Sequence, residues 1–314
     1  MFSEEGYWAL RRRVAVVTRG DRGVLEVTGA DRLTWLQGLL TNDVLALPIG
    51  GVSDAAYLTP QGRMITDLRV ANLRDRALLD VPASLAGSLR LRLDGLLFSE
   101  DAQIADRSNT LAIVDLHGPD AEQVSIRASR ELSAVASVKD AAFGVPGISY
   151  FVASADAGGV IGRLAEAGAA PTTLETLDVL RIEAGRPAFL IDMDEHTIPL
   201  EAGLESRAIS FTKGCYVGQE VIVRIMHRGQ GRVAKRLVGL ALAQSELPKA
   251  GDPITAGTRE VGKLTSVTWS PTLGHGIALG YVRREFVTPG TALHVTSVHG
   301  LHDATVVSLP FVAS

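Results

Sequence analysis

The chain has a single cysteine in 314 residues, so no intrachain disulfide can form, and a reducing, cytoplasmic setting is expected for Cys215. No apolar run approaches the roughly 20 residues a membrane-spanning helix requires. An excess of one charge is also missing: 31 Lys and Arg against 35 Asp and Glu leave −4, which gives no whole-protein attraction to nucleic acid or anionic lipid. Aromatics are only 5% of residues. Within the basic stretch from Lys213 to Arg236, Tyr216 is the only one near enough to stack on a base, which weighs against single-strand binding. There is no P-loop, and Gly274–Gly280 (GHGIALG) does not match a dinucleotide loop. The opening residues place acids before a basic cluster and a short apolar stretch, unlike a secretory signal.

What is present reads as globular: 46% hydrophobic and 21% charged residues. Val14–Thr18 and Val24–Thr28 predict short strands. Asp31 is expected to cap a helix carrying Leu33, Leu36, Leu39, Leu40 and Val44. Met64, Leu68 and Val70 mark a strand, with Leu78–Val81 as its candidate partner, and residues 84–98 predict an amphipathic helix. The middle repeats this grammar, and the spacing of Thr172 to Glu175 predicts a capping box before a helix that Gly185 and Pro187 end. The fold class is α+β with mostly antiparallel sheet.

Beyond about residue 230 helical periodicity stops. Arg236–Leu242, Val261–Trp269, Ile277–Val282, Ala292–Val298 and Ala304–Leu309 predict strands, with glycine or proline in nearly every gap. Short, evenly spaced strands of this kind predict a small barrel, and hence domains at 1–230 and 231–314.

The stretch from Phe211 to Arg232, FTKGCYVGQEVIVRIMHRGQGR, is where chemistry is expected. It sets the only thiol between Lys213 and a helix predicted to start near Gly218, with Val217, Val221, Ile222 and Ile225 on one face. An ammonium group and free helix N–H groups favour a thiolate, as a nucleophile or metal ligand needs; a small buried apolar role is the alternative for Cys215. Six Lys or Arg against Glu220 alone between Lys213 and Arg236 suit an anion, or simply a solvated face. His294, His299 and His302 lack a carboxylate or thiol at ligand spacing, so no metal is expected and surface or half-buried histidines are.

Within that stretch, KGCYVGQE (Lys213–Glu220) resembles the signature of YgfZ-type folate-binding proteins, relatives of the glycine-cleavage T-protein. LQGLLTND (Leu36–Asp43), GRMITDLRV (Gly62–Val70), RIEAGRP (Arg181–Pro187), IPLEAGL (Ile198–Leu204) and VGKLTSVTWSPTLGHGIALGYV (Val261–Val282) extend the resemblance along most of the chain. It implies two interlocked α+β units plus the barrel, around a central folate cavity. It also implies tetrahydrofolate or a one-carbon-substituted form as cofactor. The T-protein text G-G-x-x-D-D-L is matched by GRMITDL with Thr66 and Asp67, so only its second acid is present. Carried over residue by residue, the resemblance implies Asp67, Glu183, Arg181, Tyr216, Gln219, Glu220 and Arg224 as folate contacts, and Cys215, Lys213 and Asp67 as the reacting set.

The function this implies is a folate-binding accessory protein in iron–sulfur cluster assembly or repair. Its partners would be iron–sulfur clients or assembly proteins, with no membrane or nucleic acid, and the chain would be monomeric. One thiol cannot hold a cluster that takes four, so Cys215 would act transiently. The alternatives are a tetrahydrofolate-dependent aminomethyltransferase or other one-carbon transferase, which would make the chain an enzyme, and an RNA-modification partner using the basic stretch.

Overall fold

The computed structural model describes residues 1–129, 132–244, 246–298 and 300–313; His299 lies outside them. The chain forms two compact units. The first comprises residues 1–58, 65–177 and 207–217; the second comprises 59–64, 178–206 and 218–314. The chain crosses between them inside the KGCYVGQE motif, after Val217.

The first unit contains two five-stranded sheets. In chain order its strands are β1 (Ala15–Thr18), β2 (Arg22–Thr28), β3 (Val52–Leu58), β4 (Met64–Asn72), β5 (Arg76–Pro82), β6 (Gln103–Asp106), β7 (Leu111–His117), β8 (Ala136–Asp140), β9 (Gly147–Ala153) and β10 (Ala170–Pro171). One sheet runs β3-β4-β5-β2-β6 and the other β10-β1-β7-β9-β8; β1 pairs with β10 in parallel, whereas β1 with β7, β7 with β9, β8 with β9, β2 with β5, β2 with β6 and β4 with β5 are antiparallel. The helices are α1 (Glu4–Arg12), α2 (Arg32–Leu39), α3 (Ala86–Asp94), α4 (Ala121–Ala128), α5 (Ala157–Glu166) and α6 (Leu174–Glu183), the last crossing into the second unit. One core gathers Leu36, Leu40, Leu68, Val70, Leu79 and Leu89 under the first sheet; Val16, Val114, Leu116, Val152 and Leu164 form another. A third cluster, with Val24, Leu78, Ile113 and Phe151, packs the two sheets against each other.

Three local expectations need correction. Asp31 precedes α2 but makes no side-chain cap bond; its Oδ2 accepts from the Asp101 amide at 2.9 Å, tying the helix entry to the strand connection. The helix expected over 84–98 is shorter, because Gly95 follows the last turn and the chain leaves it there. Thr173, one residue later than expected, caps α6: its hydroxyl accepts from the Thr176 amide at 3.3 Å. At the other end Gly185, at φ 65°, closes the helix, with Gly185 N–H bonding Ile182 O at 2.8 Å and Arg186 N–H bonding Arg181 O at 3.0 Å. That pair of bonds needs a left-handed residue, which glycine supplies without steric cost.

The second unit contains α7 (Gln219–His227) and six strands: β11 (Lys235–Leu242), β12 (Pro253–Ala256), β13 (Arg259–Ser270), β14 (His275–Arg283), β15 (Ala292–Ser297) and β16 (Gly300–Val307). They close into a barrel in the order β11-β14-β13-β12-β15-β16, filled by Val238, Leu240, Ile254, Leu264, Val282, Leu293, Val295 and Val306. The fold is therefore mixed α+β with a small closed barrel. Of the barrel strands, the one missing from the sequence reading is β12, four residues long and begun by a proline, where no alternation is long enough to detect. His302 faces the barrel interior and is buried, correcting the expectation of surface or half-buried histidines; its Nε2 lies 2.7 Å from Ser297 Oγ.

Candidate functional site

Asp67 stands in the middle of β4, where exposure alternates from residue to residue, so it shares a sheet face with Arg69 and not with buried Thr66 and Leu68. Its Oδ1 is inaccessible and accepts no hydrogen bond, and Arg22 Nη1 lies 3.5 Å away. Arg22 is itself held: Nε donates to Asp80 Oδ1 at 2.5 Å and Nη2 to the Asp80 carbonyl at 2.9 Å. Arg69 takes the other oxygen of Asp80 through Nε at 2.7 Å and reaches Asp140 with Nη1. Burial alone would raise the Asp80 pKa, yet Arg22, Arg69 and Arg19 together hold it below the usual carboxylate range. Asp115, also fully buried, is depressed likewise against its burial, by His117, Arg19 and Arg69. Arg19 Nη1 donates to it at 2.9 Å. This buried lattice of Arg19, Arg22, Arg69, Asp80, Asp115 and Asp140 escaped the sequence reading. Its one visible trace is a charged residue set among apolar neighbours, as Asp80 is in LLDV.

Glu183 ends α6 and is completely buried; Ser270 Oγ donates to its Oε1, and its carbonyl accepts from the Phe311 and Val312 amides at 2.8 and 3.2 Å. Asp67 belongs to the first unit and Glu183 to the second. Arg181, expected to contact the cofactor, is committed inside the second unit. Its Nε donates to Asp178 at 2.6 Å, Nη1 to the Arg186 carbonyl at 2.7 Å and to Asp192 Oδ2 at 2.6 Å, and Nη2 to Ser266 Oγ at 2.9 Å. Asp192 also accepts from Thr265 Oγ1 at 2.5 Å, Ser266 Oγ at 2.7 Å and the Ala188 amide at 3.0 Å. Arg181 and Asp192 thus fasten the segment after α6 onto β13, which leaves Arg181 almost no free donor.

The motif residues divide between the units. Lys213, Cys215 and Tyr216 fall in the first; Gln219, Glu220 and Arg224 lie on α7 in the second, with Glu220 and Arg224 exposed. Gly218, at φ 83°, begins α7 in the left-handed conformation that explains a glycine at this place in the motif. Lys213 is not a partner for the thiol. Its Nζ donates to the carbonyls of Gln37 and Leu40, both at 2.6 Å, and of Asn42 at 2.9 Å. An ammonium has three N–H groups, and all three are used in closing the C-terminal end of α2. Burial pushes its pKa down to about 8, opposed by Asp43. The same ammonium sits 5.2 Å from the centre of the buried Tyr216 ring, whose hydroxyl burial raises to about 12. Cys215 is exposed, unlike the small buried residue that was its alternative reading.

Residues 2–144 match the GCVT N-terminal domain, and residues 235–313 match the glycine cleavage T-protein C-terminal barrel domain. A relative from Rubrobacter xylanophilus named aminomethyltransferase is 31% identical, over 88% of this chain and 78% of its own length. Another with that name, from Streptomyces avermitilis, is 29% identical over 96% of this chain and 87% of its own. The crystal structure of glycine cleavage system aminomethyltransferase T from Bartonella henselae superposes with a TM-score of 0.88, covering 98% of this chain and 89% of that one; at 21% identity it shows the fold alone. These relatives overturn the iron–sulfur accessory function expected from KGCYVGQE, since near-full-length similarity runs to proteins named aminomethyltransferase. No helix among the described residues is long and apolar enough to cross a membrane. With two domain models in the same order and relatives along nearly all its length, the chain belongs to the aminomethyltransferase family, that of the glycine cleavage T-protein.

Proposed function

We propose that this chain binds a reduced folate, tetrahydrofolate or a one-carbon-substituted form, and acts as an aminomethyltransferase or a related one-carbon transferase. The observation that carries this reading is the similarity to proteins named aminomethyltransferase over 88% and 96% of the chain. Within the family, KGCYVGQE resembles the YgfZ-type signature, and we place the chain on that branch.

The residues fit such a ligand. Asp67 shelters Oδ1 beside Arg22 while 24% of its side chain stays exposed, so a donor can reach the carboxylate from the open side. When bound, tetrahydrofolate supplies the nitrogen that takes up the one-carbon unit. Asp67, anchored by Arg22 at one oxygen, accepts a hydrogen bond from an amine and favours positive charge that develops beside it. Glu183, completely buried and bonded by Ser270, offers no open surface to a ligand and instead holds the end of α6 within the second unit. Arg181 acts indirectly, fixing the loop through Asp192. Thr66 replaces the first acid of the T-protein pair; its hydroxyl donates to the Asp67 carbonyl at 2.8 Å, so one carboxylate carries the proton handling alone.

Calorimetric titration with tetrahydrofolate and its methylene and formyl forms tests this reading. Saturable binding that weakens in Asp67→Asn supports it, and no binding of any reduced folate contradicts it.

A further inference from the structure

The second unit carries three cations around one phenol on a single sheet face. In the barrel register Lys235 pairs with Arg283, and Lys263 pairs with Tyr281. Val238, Leu240 and Val282 fill the barrel, so Lys235, Tyr281 and Arg283, of opposite parity, face outward. Directly paired like charges destabilise adjacent strands. Among the described residues neither Lys263 nor Arg283 has an acid within ion-pair distance, and Lys235 reaches Glu201 only at 4.0 Å.

Tyr281 lies at the centre of this group with 9% of its surface exposed, and its hydroxyl is buried without a hydrogen-bond partner. Burial, with Asp192, Glu201 and Asp194 nearby, keeps the phenol protonated and hence a donor. A buried donor left unpaired is costly, so an acceptor is called for. The Thr197 hydroxyl lies beside it, yet neither Thr197 nor any of these acids meets the phenol at hydrogen-bond geometry. Asp192 is saturated by Arg181, Thr265, Ser266 and the Ala188 amide. Asp194 accepts from Thr197 Oγ1 and the His196 amide at 2.9 Å each.

These groups line one open groove of 770 Å³, whose rim also carries Glu260. Its other wall is the loop bearing Leu190 and Ile191, which are 53% and 56% exposed although both are large and apolar. Leu190 holds φ 72°, a left-handed conformation costly for a branched side chain, and its amide donates to Met193 O at 2.7 Å. The loop is therefore fixed in a strained form that presents apolar surface opposite unpaired cations.

We propose that this groove is a binding site for an organic anion, separate from the residues assigned to folate. A carboxylate or phosphate group pairs with Lys263 and Arg283, one of its oxygens accepts from the Tyr281 hydroxyl, and an apolar body lies against Leu190 and Ile191. Titration of the intact protein with phenyl phosphate, benzoate and inorganic phosphate tests this, the first two probes distinguishing the head group. Phenyl phosphate or benzoate is expected to saturate well below about 10 mM, and the double variant K263E/R283E to weaken binding about tenfold or more. Tyr281→Phe, which keeps the ring, is expected to weaken it several-fold with a Tm unchanged or raised. Failure of both organic anions to saturate, or full affinity in K263E/R283E, overturns the site. Inorganic phosphate binding as tightly as phenyl phosphate overturns the apolar contact, and unchanged affinity in Tyr281→Phe overturns the role of the hydroxyl.

Discussion

Arg22 Nη1 lies 3.5 Å from Asp67 Oδ1 while its Nε grips Asp80 Oδ1 at 2.5 Å, so the proposed functional carboxylate is tied to a buried ionic lattice. Asp80 is the hub, because it also takes Arg69 at 2.7 Å. Asp80→Asn would leave two largely buried guanidinium groups, those of Arg22 and Arg69, short of a counter-charge. The expected cost is about 3–5 kcal/mol, read from urea unfolding. A loss under about 1 kcal/mol would show that the lattice is not a structural unit.

The same lattice sets a pH dependence. Asp80 and Asp115 have folded pKa values below their unfolded value of about 3.9. Such groups bind fewer protons folded than unfolded, so their contribution is full above that value and shrinks as pH falls below it. Stability is expected to drop as pH falls below about 4, and less steeply in Asp115→Asn, in thermal melts across pH 2–6. Equal acid sensitivity in the two proteins would contradict the assignment.

Lys213 stabilises the end of α2 through three carbonyls, not through the thiol. Lys213→Met keeps the apolar stem and removes the donors, and is expected to cost about 1.5–3 kcal/mol in chemical denaturation. Lys213→Arg should not restore it, because a planar fork cannot converge on three carbonyls as a compact ammonium does. Full stability in Lys213→Met would show that the three bonds contribute nothing net.

Cys215 is exposed and carries little packing. Cys215→Ser is expected to change stability by no more than about 0.5 kcal/mol and to leave folate affinity intact. A substantial loss of stability in a melt would mean the thiol is a structural group.

The barrel was legible because short strand-like runs recur at even spacing with glycine or proline in nearly every gap; β12 was not, at four residues. The helix α6 was readable from its apolar spacing and Gly185, but its cap slipped from Thr172 to Thr173, since neighbouring threonines offer the same chemistry. The site was less legible. KGCYVGQE pointed at a thiol and its neighbouring lysine, whereas the folded chain turns Lys213 toward Gln37, Leu40 and Asn42, about 170 residues earlier. Arg181 looked like a ligand contact until Asp178, Asp192 and Ser266 claimed its donors. Ion pairs between distant strands leave no periodicity in a sequence, so Arg22 and Asp80 were invisible as partners.

Asp67→Asn is expected to weaken folate binding by about 1–3 kcal/mol, the usual effect of losing a charge-assisted contact. Unchanged affinity in that variant would remove Asp67 from the site.

The central claim, one-carbon transfer to a reduced folate, is tested most directly by turnover with an aminomethyl-lipoyl carrier, following ammonia release with and without tetrahydrofolate. The account predicts tetrahydrofolate-dependent release that falls about 100-fold or more in Asp67→Asn, in the range expected for a lost proton-handling group. Ammonia release no faster than without the protein, in a preparation that binds tetrahydrofolate, would contradict it.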